Sequence, residues 1–292
     1  MRGRILKGIG GFYYALDEEG RIQTLRAQGK FRREHKKPMV GDEIELTCGA
    51  GDEEGWIVSI LPRRNQLVRP PVANIDTIVV IAAAAAPDPD LLMLDRLILN
   101  ARIAGIEPRL VVTKCDLAPD VAEDIVAQYR GADVEPMFVS ARTGENLDAL
   151  RAALRGRVHA LAGQSGAGKS SLINALYGLE LETGDISRKI ERGKNTTRHC
   201  ELICVEGGGM VLDTPGFSLL ETPIMEPERM REYYPEFAEY EGMCYFKPCM
   251  HAREPKCAAL EAMAKGRISP ERHGRYVELL DDMRVRWRDR YG

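Results

Sequence analysis

No apolar run in the sequence is long enough to cross a membrane, because a transmembrane helix needs about 20 consecutive apolar residues. The longest such run, IVVIAAAAAP, covers only residues 78–87. The start of the chain, MRGRILKGIGG, also lacks the hydrophobic segment of a secretory signal. We therefore expect a cytoplasmic protein that has no membrane partner.

The chain also lacks a strong excess of charge and an even set of cysteines. Its formal net charge of -3 does not indicate a nucleic-acid binder, so any RNA contact would need local basic patches. Seven cysteines are an odd number in a long chain without a signal segment. This disfavours a disulfide framework and favours free thiols or metal ligands.

Three regions differ in their sequence texture, and 292 residues allow two or three domains. Residues 1–70 alternate apolar and polar positions in short runs between Gly, Asp and Pro turns, which predicts a small β-barrel. An oligonucleotide-binding (OB) barrel fits this pattern, and an SH3-like barrel would look much the same. Residues 71–222 alternate strands with helices and predict an α/β domain with a mostly parallel sheet. Residues 223–292 predict a helical domain with a Cys-rich insert.

Within the α/β domain, hydrophobic runs and periodicity predict the individual elements. The predicted strands cover residues 76–82, 109–113, 136–140 and 158–163, and the predicted helices cover residues 91–104, 121–129 and 145–154.

The pattern Gly163-x4-Gly168-Lys169-Ser170 follows a predicted strand and opens a predicted helix, as a phosphate-binding loop requires. Small residues let backbone N–H groups surround phosphates at the positive end of the helix dipole. Lys169 would reach the outer phosphates, and Ser170 would bind Mg²⁺. The predicted nucleotide contacts in this loop are Gly163, Gln164, Ser165, Gly166, Ala167, Gly168, Lys169, Ser170 and Ser171.

Two further segments fit the phosphate side of the same site. MVLDTPGF, residues 210–217, predicts a strand that ends in Asp213, where a carboxylate can hold Mg²⁺ through water, and the Gly216 N–H can sense a γ-phosphate. Between this segment and the loop lies ERGKNTTRHCEL, which offers hydroxyls that could reach Mg²⁺ in a phosphate-sensing switch. Thr197 is the first choice and Thr196 the second, while a solvated basic loop remains the alternative.

Thr113-Lys114-Cys115-Asp116 follows another predicted strand and suits the recognition of guanine. The Asp116 carboxylate can accept both N1–H and N2–H of guanine, and the Lys114 stem can cover the base. The VSARTG segment would supply backbone N–H groups for O6 at Ser140, Ala141 and Arg142. Ligands in open α/β sheets bind at the carboxyl ends of strands, where all these loops are predicted to lie.

The order of these motifs is base reader, base support, phosphate loop and then the two switches. This order predicts a circularly permuted P-loop GTPase domain, because a compact domain tolerates a new cut when its termini lie close together at the surface.

Cys244-x4-Cys249-x-His251-x5-Cys257 places four soft ligands within fourteen residues. Three thiolates and an imidazole form a closed tetrahedral set that suits one structural Zn²⁺. The remaining cysteines, Cys48, Cys115, Cys200 and Cys204, are expected to be ordinary buried thiols.

The combination of a β-barrel, a permuted GTPase domain and a Cys-x4-Cys-x-His-x5-Cys segment resembles one family. Its members are circularly permuted GTPases that depend on the small ribosomal subunit and act late in its maturation. The resemblance covers nearly the whole chain. It implies that an OB-type barrel and a zinc domain dock on the small subunit and its 16S rRNA, and that Mg²⁺-dependent GTP hydrolysis is stimulated there and followed by release. We expect a monomer. An RNA-binding assembly or anti-association factor with incidental turnover is the alternative, whereas a P-loop kinase or ATPase would leave Asp116 and both switches unexplained.

The sequence departs from common GTPase patterns at three positions. Thr113 stands where many GTPases have Asn, which could loosen the tie to the phosphate loop. Asn195 stands where this family often has a His with a catalytic role, so that role is not assigned. Phe217 cannot orient water as the Gln of many GTPases does, which predicts slow hydrolysis by the isolated protein. No water-orienting residue is therefore assigned, and Lys169 would stabilise transition-state charge.

Three basic segments are candidates for RNA contact, although each could equally be a solvated face. They contain Lys30, Arg32, Arg33, Lys36 and Lys37; Arg63 and Arg64; and Arg284, Arg286, Arg288 and Arg290.

Overall fold

The computed structural model describes residues 1–33, 36–49, 53–181, 200–213 and 222–291. Thr196, Thr197, Asn195, Gly216 and Phe217 therefore lie outside the described residues.

The N-terminal region is a five-stranded barrel. Its strands are β1 (Arg2–Ile9), β2 (Phe12–Asp17), β3 (Ile22–Ala27), β4 (Glu43–Thr47) and β5 (Gly55–Ile60), with a short helix α1 (Lys30–Arg33) after β3. The pairs β1–β2 and β2–β3 are antiparallel, β3 pairs with β5 in parallel, and β4 closes the barrel by pairing with both β5 and β1. This pairing distinguishes an OB-type Greek-key barrel from the SH3-like alternative.

The alternation of side chains in these strands fills the barrel interior. The buried core consists of Ile5, Ala15, Leu25, Phe31, Ile44, Leu46 and Ile57. A short hairpin, β6 (Gln66–Leu67) and β7 (Val72–Ala73), then leads into the second region.

The second region is an α/β sheet with helices on both faces, as predicted. Its elements are β8 (Thr77–Ala83), α2 (Leu91–Ile103), β9 (Glu107–Thr113), α3 (Pro119–Gln128), β10 (Met137–Val139), α4 (Leu147–Ala153), β11 (Val158–Gly163), α5 (Lys169–Tyr177), β12 (Glu201–Cys204) and β13 (Met210–Asp213). The strand order is β10-β9-β8-β11-β13-β12, and all neighbours are parallel except β12 and β13.

The two faces of this sheet have separate cores. Helices α2 and α3 cover one face with Leu94, Leu97 and Ile125, while α4 and α5 cover the other with Leu150 and Leu172. Strand β8 is buried along its whole length because both faces are covered.

The barrel and the α/β sheet are joined edge to edge. Strand β12 pairs with β1 of the barrel, with Lys7 opposite Glu201, so that the strands form one continuous 11-stranded sheet. The barrel is thus hydrogen-bonded to the strand that lies between the two predicted switches.

The C-terminal region is helical around the Cys-rich segment. It contains two 3₁₀ segments (Pro227–Tyr233 and Pro235–Tyr240), α6 (Ala258–Ala264), α7 (Pro270–Arg288) and a last 3₁₀ turn (Asp289–Tyr291). Tyr234, Phe237 and Tyr276 form its aromatic core, and Leu99 of α2 packs into the same core.

A buried ion network also fixes this region to α2. Arg272 of α7 binds Asp95 of α2 and lies 2.6 Å from Glu236, and all three side chains are at most 6% exposed. Arg275 binds the second oxygen of Asp95. Among the described residues, no helix is long and apolar enough to cross a membrane.

Candidate nucleotide and zinc sites

The predicted phosphate loop connects β11 to α5 at the carboxyl end of the sheet. Gly163 must be glycine, because a Cβ there would lie 2.5 Å from the Ile81 carbonyl oxygen, and its φ is +154°. Gly168, at φ +92°, is the last residue before α5. The loop therefore takes a path that L side chains rarely permit and directs the N-terminus of α5 towards its centre, as anion binding requires.

Lys169 bends back over this loop. Its Nζ donates to the carbonyl oxygens of Gly163 and Gln164, both at 2.7 Å. Burial lowers the pKa of Lys169. A phosphate would favour the ammonium form, since opposite charges stabilise each other most where water is scarce.

The base-reading segment is bonded directly to the phosphate loop. The Thr113 hydroxyl lies 2.7 Å from the Ala167 carbonyl oxygen and 3.2 Å from that of Ala82. Lys114 has a φ of +58°, and its Nζ donates to the Gly166 carbonyl oxygen at 2.9 Å. The loosening expected from Thr113 is therefore absent, because a hydroxyl at this position makes the tie to the loop.

Asp116 is held by the side chain of Arg142, for which the sequence predicts only a backbone role. The Arg142 guanidinium binds Asp116 Oδ2 through Nε, at 2.9 Å, and through Nη2. Hydrogen bonds from Arg142 and Ser140 lower the pKa of Asp116. The carboxylate therefore stays ionised and oriented, as an acceptor for two N–H groups must be.

One predicted donor to a base oxygen needs correction. The Ser140 N–H donates to the Glu145 carbonyl oxygen at 3.2 Å, because the SARTG segment forms a tight turn. The Ser140 hydroxyl also accepts from the Thr143 N–H at 3.2 Å. The N–H groups of Ala141 and Arg142 are then the remaining candidates from this triplet. Cys115 is buried, and its Sγ lies 3.7 Å from Glu145 Oε2, so it packs beneath the loop.

Asp213 is the last residue of β13, which lies beside β11, the strand that leads into the phosphate loop. Burial raises the pKa of Asp213, and the charge of Glu201 adds to the rise. A bound dication would reverse this shift by stabilising the carboxylate.

The four predicted zinc ligands converge on one point. Cys244, Cys249, His251 and Cys257 are all buried, and their ligand atoms lie within 4.8 Å of one another. The Sγ atoms of Cys244 and Cys257 are 3.8 Å apart, and His251 Nδ1 lies 3.5 and 3.4 Å from them. A tetrahedral site with Zn–S bonds of about 2.3 Å has sulfur–sulfur edges of about 3.8 Å, so the donors fit one Zn²⁺ ion.

Groups around the cluster also suit a metal site, and no sequence motif predicts them. His251 Nε2 lies 3.4 Å from Glu241 Oε2, which leaves Nδ1 to face the metal, and His273 Nε2 donates to the His251 carbonyl oxygen at 2.7 Å. Burial raises the pKa of Cys249 to about 12, and a dication would offset this cost by stabilising the thiolate.

The expectation of four buried packing thiols is only partly correct. Cys115 is buried and Cys200 is half-buried, but Cys48 and Cys204 are exposed. Both exposed residues lie at the ends of strands, where one side of the chain faces solvent.

Several candidate RNA contacts have partners within the protein. Arg63 binds Asp42 through Nε and Nη2, at 2.6 and 2.9 Å, and its side chain is 20% exposed. Arg64 binds Asp76 at 2.7 Å, and Arg286 donates to the Thr222 carbonyl oxygen at 2.7 Å. Arg63 in particular serves the barrel structure.

Two family models match the sequence. The model described as RsgA N-terminal domain matches residues 2–57, and the model described as RsgA GTPase matches residues 60–223. Full-length relatives named small ribosomal subunit biogenesis GTPase RsgA agree with them. The relative from Caldanaerobacter subterraneus subsp. tengcongensis is 41% identical over 100% of this chain and 98% of its own length. The relative from Geobacillus thermodenitrificans is 43% identical over 97% of this chain and 98% of its own length.

Solved structures show the same fold. YjeQ from Thermotoga maritima is 31% identical, with a TM-score of 0.83 over 97% of this chain and 98% of its own. YloQ, described as a circularly permuted GTPase, is 33% identical, with a TM-score of 0.80 over 98% of this chain and 95% of its own. This chain therefore belongs to the RsgA GTPase family and is a circularly permuted GTPase, with GTP as its substrate and Mg²⁺ as its cofactor.

Proposed function

We propose that this GTPase docks on the small ribosomal subunit in its GTP-bound form late in subunit maturation, hydrolyses GTP there and then leaves. Its relatives are named for the biogenesis of that subunit. We further propose that it contacts 16S rRNA and acts as a monomer in the cytoplasm. The OB-type barrel (1–70) and the zinc domain (223–292) would dock, while residues 71–222 form the GTPase domain.

The observation that carries the nucleotide-binding part of this proposal is the direct hydrogen bonding between the base-reading segment and the phosphate loop, whose order in the chain is exchanged. Thr113 and Lys114 from the base-reading half contact the carbonyl oxygens of Ala167 and Gly166 in the phosphate half. A single ligand with a base and phosphates can therefore span both halves.

We assign the following roles within this site. The Asp116 carboxylate would accept guanine N1–H and N2–H, the Lys114 stem would cover the base, and the N–H groups of Ala141 and Arg142 would face O6. The phosphate loop, residues 163–171, would surround the phosphates. The Mg²⁺ ligands and sensors would be Ser170, Asp213, Thr197 or Thr196, and Gly216.

The isolated protein would bind GTP but hydrolyse it slowly, because its residues contact the phosphates without orienting the attacking water. Lys169 can stabilise charge on the transferring phosphoryl group, and Mg²⁺ neutralises charge on the β- and γ-oxygens when bound. Phe217 has no polar group that could orient water where many GTPases have the carboxamide of a Gln, and Asn195 stands where this family often has an imidazole. The ordering of the attacking water should therefore depend on the docked subunit.

The test is GTP turnover at low salt with and without purified small subunits. Partner-supplied groups raise turnover by on the order of 10³ to 10⁵ in known GTPases, so we expect a large stimulation. Large subunits serve as the matched control, and Lys169→Ala serves as the inactive enzyme. Equal rates with and without saturating small subunits would contradict the proposal.

Salt dependence tests the proposed contact with rRNA. Docking through Lys and Arg releases counterions from RNA, so stimulation should fall steeply from low to moderate salt. Stimulation that is independent of salt would instead favour protein contacts on the subunit.

An RNA-binding assembly factor with incidental turnover is the second candidate, and the apolar Phe217 together with the absence of a His at position 195 favours it. Release of the wild-type protein in GTP and in a non-hydrolysable GTP analogue separates the two. If the protein leaves small subunits as fast with the analogue as with GTP, then turnover does not drive release.

A further inference from the structure

Three charged residues form a row across the junction of the barrel and the GTPase domain. Lys7 of β1 stands directly opposite Glu201 of β12, and Glu201 stands directly opposite Asp213 of β13. Side chains directly opposite each other in antiparallel strands share one face of the sheet. The Lys7 Nζ accordingly lies 2.7 Å from Glu201 Oε2.

This row lies on the face of the sheet that holds the phosphate-loop helix. Val211, two residues before Asp213, belongs to the same core as Leu172 of α5, whereas Leu212 belongs to the core on the opposite face. Helix α5 begins with Lys169 and Ser170. The row therefore starts in the barrel and ends at the proposed Mg²⁺ carboxylate.

The charges of the row depend on one another. Two carboxylates directly opposite in a sheet repel, and the ammonium of Lys7 offsets the charge of the middle one. Lys7 and Glu201 are 30% and 42% exposed, so water weakens the pair without removing it. The net charge beside Asp213 thus depends on a side chain that belongs to another domain.

We propose that Lys7 is a positioning residue of the Mg²⁺ site, which draws Glu201 towards the barrel and neutralises it, and so sets the affinity of the site for Mg²⁺. This inference rests on the proposed assignment of Asp213 to Mg²⁺. It means that the barrel contributes to the nucleotide site, and that a movement of β1 away from β12 would strengthen the attraction of Mg²⁺ to Asp213.

The test measures the Mg²⁺ concentration that half-maximally slows the dissociation of a fluorescent GDP analogue from the full chain. Lys7→Met leaves Glu201 uncompensated and should lower this concentration, while Glu201→Gln leaves Lys7 uncompensated and should raise it. Each shift should be roughly threefold to tenfold, because a nearby unit charge acts on a dication through largely aqueous surroundings. The double variant should return to within about twofold of the wild-type value.

The opposite signs separate a charge effect from structural damage, which would shift both single variants in the same direction. Arg4→Met is the matched control. Arg4 lies on the same strand as Lys7 and forms a pair of similar exposure, at 2.6 Å, but its partner is Glu43 of β4 and not a residue of β12. It should leave the Mg²⁺ dependence unchanged, and Lys7→Arg should preserve it.

Two results would overturn the inference: shifts of the same sign in both single variants, or no shift in either. Asp213→Asn distinguishes this failure from a failure of the site assignment. If Asp213→Asn leaves the Mg²⁺ dependence as in the wild-type protein, the assignment of Asp213 is wrong. If it changes that dependence while Lys7→Met and Glu201→Gln do not, only the role of the row is wrong.

Discussion

At the scale of single residues, His159 shows how burial of a titratable side chain makes the domain sensitive to acid. It is fully buried in β11, where its Nε2 accepts from the Tyr177 hydroxyl at 2.9 Å and its Nδ1 lies 3.3 Å from the Arg157 carbonyl oxygen. Burial lowers the pKa of His159 to about 4. The folded protein therefore keeps the imidazole neutral under conditions in which an unfolded chain protonates it.

This difference predicts a pH dependence of stability. Between about pH 6.5 and pH 4 the unfolded chain binds the proton and the folded chain does not, so the free energy of unfolding should fall by up to about 1.4 kcal/mol per pH unit as pH falls. The decrease in the free energy of unfolding should begin near pH 6.5 and level off below about pH 4. Urea unfolding of wild-type protein and His159→Gln at pH 7.5, 6.0 and 4.5 checks this, and equal slopes in both proteins would contradict it.

Sequence reasoning can point to residues whose type is dictated by chemistry, but not to the residues that hold them in place. The pattern around Asp116 was informative because only certain side chains suit a guanine edge. The Arg142 guanidinium that binds Asp116 gave no such signal, because an exposed arginine in a loop is usually solvated. Glu241 and His273, which contact the zinc ligand His251, were also missed. Residues that contact a ligand residue are brought to it only by the folded chain, and no sequence spacing specifies them.

At the scale of structural elements, the Cys-rich segment should depend on its metal. Cys249→Ser removes one of four ligands, so the protein should lose its one equivalent of Zn²⁺ and the region after Pro223 should unfold, while the GTPase domain still binds nucleotide. Zinc analysis, limited proteolysis and nucleotide binding check the three parts.

Cys204→Ser is the matched control, because Cys204 is exposed and lies outside the cluster. It should keep both zinc and fold. Protein that is free of zinc yet folded throughout would contradict the structural role of the metal.

The elements themselves were predictable where their hydrophobic pattern is local. Strands β8 and β11 and helix α2 match the expected ranges to within about two residues, because burial on one or both faces sets their composition. The pairing of β1 with β12 was not predictable. It joins residues 194 positions apart, through an ion pair of two ordinary surface residues, and no turn or pattern specifies it.

At the scale of the whole molecule, the ion network around Arg272 fixes the zinc domain to the GTPase domain. Arg272→Ala leaves the carboxylates of Asp95 and Glu236 buried and without this cation, so it should destabilise the protein by about 3 to 5 kcal/mol. Chemical denaturation of the full chain measures the effect. Arg253→Ala removes an exposed pair with Asp281 and should change the midpoint little.

If the two variants are equally stable, the buried network does not hold the domains together. Helix α2 also leads to the nucleotide site, because the loop between β8 and α2 contacts the phosphate loop: the Asp90 N–H donates to Gln164 Oε1 at 3.3 Å. Helix α2 therefore contacts the zinc domain, and the loop before it contacts the phosphate loop.

A guanine site read by Asp116 should drive turnover on the small ribosomal subunit. The decisive measurement is turnover by Asp116→Asn with GTP and with xanthosine triphosphate in the presence of purified small subunits. Guanine N1–H and N2–H lose their carboxylate acceptor in this variant, whereas xanthine offers a carbonyl that the new amide can bind. We predict that the variant loses subunit-stimulated hydrolysis of GTP and gains it with xanthosine triphosphate. Undiminished stimulation with GTP would contradict the account.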